Sequence, residues 1–113
     1  IYGECGGFMV LGRGLTDSEG ARHEMAGLLP VDTDFSRRTL HLGYRRLSPA
    51  SPLPWPAALR GHEFHYSRLV SPAAAETLFA VADSCGRDLG HAGARAGRVM
   101  GSYIHVIAGE ETP

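Results

Sequence analysis

The sequence predicts a strand-rich α/β segment, and three observations carry that assignment. Fifteen glycines and seven prolines among 113 residues break the chain into short elements separated by turns and leave little room for helix. Stretches such as TLHLGYRRL alternate apolar and polar residues with the period of two that a half-buried strand needs. The helical component comes from the first residues. Ile1 and Tyr2 read as the end of a buried strand, the glycine cluster around Cys5 as a sharp turn, and Phe8-Met9-Val10-Leu11 as the start of a helix.

Taken in order, residues 6–14 read as a short helix ended by Gly12 and Gly14, and Thr16, Asp17, Ser18 and Gly20 as a loop. Residues 25–35 mix apolar pairs with Gly27 and Pro30 and read as strand fragments and turn. Residues 39–47 form the half-buried strand. The following SPASPLPWPAAL carries Pro49, Pro52, Pro54 and Pro56; proline cannot donate to a strand ladder, so this is an extended surface loop. Residues 60–70 and 77–83 read as strands, SCGRD as a turn, and residues 98–107 as one last apolar strand that carries His105.

Composition narrows the function classes. The length allows one domain, which buries roughly two thirds of its unfolded surface. A net charge of −1 argues against nucleic acid or an anionic membrane as partner. The longest apolar runs are far too short to span a bilayer, and Arg13 interrupts the first apolar segment too early for a secretory signal. Two cysteines at unrelated spacing do not make a disulfide framework, so a reducing cytoplasm fits best. The chain lacks an initiator methionine and opens on the end of a strand, so it reads as a piece of a longer protein.

Cys5 is the first chemical candidate. A nucleophile elbow needs small neighbours because its backbone is strained; Gly3, Gly6 and Gly7 supply them. A helix beginning after Cys5 would favour the thiolate, and the Gly6 N–H could donate to an oxyanion. The competing reading is a small cysteine buried in a tight turn. A nucleophilic cysteine needs a base, and His105, inside the apolar YIHVI, would be costly to bury without a partner. The competing reading there is a core histidine satisfied by a backbone carbonyl. In GHEFHY, strand alternation puts Glu63 and His65 on one face and His62, Phe64 and Tyr66 on the other. The first pair could orient a site or simply tie strands together. His23, His41 and His91 lie in polar or loop-like contexts and read as solvated, and Cys85 as a bystander in a turn. Zinc held by Cys5, His62, His65 and His105 is a competing chemistry, but the spacings match no zinc motif, and the expectation is no metal.

The series YGECGGFMVLGRGL, MAGLLP, LGYR, RGHEFHYS and GSYIHVIAG, in that order, resembles the C-terminal glutaminase domain of the cobyrinic acid or hydrogenobyrinic acid a,c-diamide synthases, and the likeness covers nearly the whole chain. The resemblance implies part of a flavodoxin-like class I glutamine amidotransferase domain, a mostly parallel sheet flanked by helices. It implies Cys5 as nucleophile, His105 as base and Gly6 as an oxyanion donor. Glutamine would be the substrate, and the ammonia released would amidate the a and c carboxylates of a corrinoid in cobalamin biosynthesis. Activation of those carboxylates would fall to an ATP-dependent ligase domain, with ATP and Mg²⁺, outside this segment; no cofactor is expected within residues 1–113.

Two departures bear on the site. Many class I glutaminases carry a glutamate two residues after the histidine; here that position is Ile107, leaving a Cys-His dyad with Glu63 as a distant orienter. The chain also begins at the elbow, so the upstream strands and the loop giving a second oxyanion donor are expected outside it, and the isolated piece is expected to be inactive. The exposed sheet edge this implies leaves pairing into a homo-oligomer open. The alternative to a catalytic segment is a non-catalytic strand-rich fragment that assembles with a partner chain.

Overall fold

Short apolar pairs separated by glycine and polar turns dictate short strands, and the computed structural model, which describes residues 1–36, 40–49, 58–69 and 76–109, consists mostly of them. Strand β1 (Tyr2–Glu4) runs into helix α1 (Gly6–Leu11) through Cys5. There follow β2 (Gly14–Thr16), β3 (Arg22–Glu24), β4 (Asp32–Asp34), β5 (His41–Pro49), β6 (Leu59–His65), β7 (Arg68–Leu69), β8 (Phe79–Asp83), β9 (Asp88–Ala92), β10 (Ala94–Ala96), β11 (Val99–Ser102) and β12 (His105–Gly109). They form three sheets, ordered β1-β11-β10, β12-β6-β5-β8-β9 and β3-β2-β4-β7. Pairing is parallel between β1 and β11 and between β2 and β4, and antiparallel in the other described pairs.

The strand-rich α/β class expected from the sequence is the class observed, with its helix confined to the elbow. The mostly parallel sheet flanked by helices that the resemblance implied is not seen among the described residues, where most pairings are antiparallel. Several boundaries differ. The helix stops at Leu11 because Gly12 adopts extended backbone, so Gly14–Thr16 is a strand and not the helix end. The strand expected over 60–70 divides at Tyr66 and Ser67 into β6 and β7. The single strand expected over 98–107 is two strands in two different sheets. β3, β9 and β10 lie where no strand is expected. The proline-rich stretch expected to be loop is strand at both ends, with Ser48 and Pro49 closing β5 opposite Ala80 and Phe79 and Leu59 opening β6; residues 50–57 lie outside the described residues. Among the described residues no helix is long and apolar enough to cross a membrane.

Two apolar cores hold the elements. Phe8, Leu11, Leu29, Val31, Ala94 and Tyr103 pack under α1, while Leu47, Leu59, Leu78, Phe79, Val81 and Ile104 pack under the five-stranded sheet. Full burial of a side chain of this size is worth about 1.5–3 kcal/mol. Tyr103 and Ile104 are neighbours in sequence yet enter different cores. The chain turns between them from β11 to β12, and this turn delivers His105 beside the elbow.

Close approach around the elbow requires glycine. Gly3 pairs with Gly101 in the β1–β11 ladder. A Cβ on Gly3 would lie 2.8 Å from the Gly7 carbonyl carbon and from the Leu11 side chain, and one on Gly101 would collide with the Gly3 carbonyl oxygen. A Cβ on Gly7 would meet open space. Gly101→Ala is therefore expected to destabilise the protein carrying this segment by about 1–3 kcal/mol. Gly7→Ala should leave stability unchanged or raise it by up to about 1 kcal/mol. Urea unfolding of the two variants checks both; equal midpoints would contradict this packing.

Candidate active site

Cys5 occupies the turn between β1 and α1 with φ 50° and ψ −108°. Among the described residues it is the one non-glycine residue with positive φ, a conformation that costs a side-chain-bearing residue about 1–3 kcal/mol. Such strain persists only where neighbours hold it. The Cys5 N–H donates to the Ser102 carbonyl at 2.9 Å, its carbonyl accepts from the Met9 N–H at 3.1 Å, and its thiol approaches the Phe64 carbonyl at 4.0 Å. The half-buried sulfur is thereby held at the meeting of β1, β11 and the end of β6. Gly6, next along, belongs to the first turn of α1, whose N–H groups have no acceptor within the helix.

His105 opens β12 directly opposite His62 of β6. Its side chain is 51% exposed, so the expectation of an imidazole buried in an apolar strand is corrected: the strand is broken before it, and Ile104 takes the buried place. Its Nδ1 lies 3.6 Å from Oε1 of Glu4, the residue preceding Cys5. The other carboxylate oxygen of Glu4 accepts the Val106 N–H at 2.7 Å and the Tyr2 hydroxyl at 2.9 Å. Burial, followed by the hydrogen bond to Glu4 and the charge of Glu4, raises the Tyr2 phenol above its ordinary range. One carboxylate thus links the strand that ends in Cys5 to the strand that begins with His105.

Glu63 does not orient His105, which corrects the reading of it as a distant orienter. Residues facing each other across a ladder share a face, so His105 lies on the His62 side, and alternation sends Glu63 to the other. There Glu63 accepts from Arg45 Nε at 3.0 Å and pairs with His65 Nε2 at 2.7 Å. Nδ1 of the buried His65 donates to the Ser67 carbonyl at 2.8 Å. His65 is stacked between His41 and Tyr103, at centroid distances of 4.6 and 3.8 Å. His41, expected to be solvated, is therefore half-buried in β5. The Ser67 hydroxyl donates to the Tyr103 hydroxyl at 3.0 Å, and Tyr103 meets Phe8 edge to face. Burial pushes the Tyr103 phenol up to about 12, with the charges of Cys5, Glu63 and Asp34 adding to the rise against the Ser67 hydrogen bond. This buried network therefore lies within electrostatic reach of Cys5.

His23 pairs with Asp17 at 2.8 Å on the surface, His91 is exposed on β9, and Cys85 is exposed in the turn after β8. Among the described residues no three His, Cys, Asp or Glu side chains are grouped as a metal ion would need. The sequence reading missed Glu4, Ser67, Ser102 and Tyr103. The loss of a carboxylate at Ile107 was the available signal that an acid from elsewhere could face His105.

A model of the CobB/CobQ-like glutamine amidotransferase domain matches residues 1–113. The chain is 55% identical over 107 residues to a protein named hydrogenobyrinate a,c-diamide synthase from Brucella abortus, with 95% of this chain and 24% of that protein covered. It is 51% identical to the protein of the same name from Rhizobium meliloti, over 95% of this chain and 25% of that one. The one from Agrobacterium fabrum is 47% identical, over 96% and 25%. The chain spans about a quarter of the length of these curated relatives.

Burial alone would raise the Glu63 carboxyl, but the hydrogen bonds and charges of His65 and Arg45 hold it below its ordinary value. A carboxyl lowered in the folded state contributes stability that is present above its unfolded pKa and lost as pH falls through the folded one. Glu63→Gln is expected to lower stability at neutral pH by at least about 1 kcal/mol. It should also flatten the loss of stability as pH falls below the ordinary carboxyl value of Glu63. Urea midpoints against pH check this; parallel curves for variant and wild type would contradict it.

Proposed function

Since the chain belongs to the CobB/CobQ-like glutamine amidotransferase domain family, we propose that it is the part of a glutaminase domain that carries the nucleophile Cys5 and the base His105. The observation that supports this most is the strained elbow: Cys5 at positive φ, on a strand whose last side chain faces the imidazole of His105. His105 takes the thiol proton, and the thiolate attacks the side-chain amide carbon of glutamine. The resulting oxyanion is met by the Gly6 N–H. The C–N bond breaks, the nitrogen takes the proton from His105 and leaves as ammonia, and a thioester remains on Cys5. Water, giving a proton to His105, then cleaves the thioester, releasing glutamate and the free thiol. Glu63 and His65 support the site from below by holding Tyr103 and the end of β6.

The names of the relatives extend the reading. The ammonia amidates the a and c carboxylates of hydrogenobyrinate or a cobalt-bearing counterpart, in cobalamin biosynthesis. A separate synthetase domain activates those carboxylates with ATP and Mg²⁺; no residue of this chain is assigned to them. The second oxyanion donor comes from outside residues 1–113. Loss of one such donor costs roughly 10²–10³ in rate, so these residues alone are expected to be nearly inactive. The unpaired thiols of Cys5 and Cys85 suit a reducing cytoplasm.

In the full-length enzyme, His105→Ala is expected to lower glutamine-dependent amidation by roughly 10²–10⁴ while ammonia-dependent amidation persists, because the base is needed to release ammonia and not to use it. A glutamine-mimicking electrophile should label Cys5 and spare Cys85, read by mass spectrometry. Equal loss of both activities, or labelling mainly on Cys85, would make Cys5 and His105 structural residues.

A further inference from the structure

We propose that Glu4 is the positioning residue of the Cys5–His105 pair, supplying from the residue before the nucleophile the carboxylate that Ile107 does not. The inference rests on the glutaminase reading above and goes beyond it.

An imidazole that serves as base needs its second nitrogen held, because the hydrogen bond made there selects the tautomer and the ring orientation. Strand β12 supplies no such partner two residues on, where Ile107 is 60% exposed. Glu63 is engaged by Arg45 and His65 on the other face of the sheet. Glu4 is 3.6 Å from Nδ1 of His105, and its side chain is 27% exposed. The carboxylate is itself fixed, since the Val106 N–H and the Tyr2 hydroxyl both donate to Oε2, which aims Oε1 at the ring. A gap of 3.6 Å is longer than a hydrogen bond, as resting sites often are before substrate tightens them. An Nδ1–H held toward Oε1 leaves Nε2 to exchange a proton with Cys5, and the negative charge stabilises the imidazolium formed when the thiol ionises.

The arrangement has a consequence for the fold as well. Because Glu4 adjoins Cys5 in the chain, the side chain that positions the base and the backbone that strains the nucleophile belong to the same strand end. Movement of β1 would displace both together.

The test is Glu4→Gln in the full-length enzyme. The amide keeps an oxygen for the Val106 N–H and removes the charge. The expected result is a glutaminase kcat lowered roughly 10- to 100-fold, less than for a fully buried triad acid because this site is partly exposed. The KM for glutamine should stay within about twofold and ammonia-dependent amidation should be unchanged. Glu4→Asp, which keeps the charge on a shorter arm, should give an intermediate kcat at the same KM, and it carries the test if the amide variant does not fold. Both variants within about twofold of wild-type kcat would overturn the proposal, as would glutamine- and ammonia-dependent rates falling in parallel. Failure of the underlying reading looks different: His105→Ala would then keep glutamine hydrolysis.

Discussion

The site depends first on Ser102, which is fully buried and accepts hydrogen bonds from two sides. Its carbonyl takes the N–H of Cys5 at 2.9 Å, and its hydroxyl takes the N–H of Ile104 at 3.1 Å. One residue therefore fixes the elbow and the turn that leads to His105. Without its hydroxyl, the Ile104 N–H would be left buried and unpaired, at a cost of about 1–3 kcal/mol. The turn also resolves a packing conflict. In a continuous strand Tyr103 and Ile104 would point to opposite faces of one sheet; here they anchor two cores, Tyr103 against Phe8 and Ile104 beneath β6.

Around this tie the polar groups divide into two layers. Beneath Cys5, Glu63, His65, Ser67 and Tyr103 form a closed set of hydrogen bonds and stacked rings that links β6 to the β11–β12 turn. Beside it, at the surface, Glu4 and His105 remain accessible. A buried, satisfied network gives rigidity, and an exposed imidazole can meet a substrate. The strained cysteine follows Glu4 in the chain, and its thiol approaches the Phe64 carbonyl at the end of β6.

What the sequence could convey was local. The elbow was legible because its requirements, small neighbours and a following apolar helix, lie within a few residues of Cys5. The shared face of Glu63 and His65 was legible because strand alternation spans only two residues. The break at Tyr103 was not: VMGSYIHVI is apolar almost throughout, and nothing in its period announces a change of sheet. β9 and β10 were hidden by the glycines of LGHAGARA, where positive φ at Gly90 falls inside β9 and positive φ at Gly93 separates β9 from β10. The reach of Glu4 was hidden for another reason. It joins residues about a hundred positions apart through the parallel pairing of β1 with β11, which no local pattern encodes.

The most direct measurement is the crystal structure of the full-length enzyme with Cys5 trapped by a glutamine-mimicking electrophile. One ring nitrogen of His105 is expected within about 4 Å of the Cys5 sulfur, with the Glu4 carboxylate on the other. A structure in which His105 turns to solvent while His65 or another imidazole lies against the sulfur would contradict it.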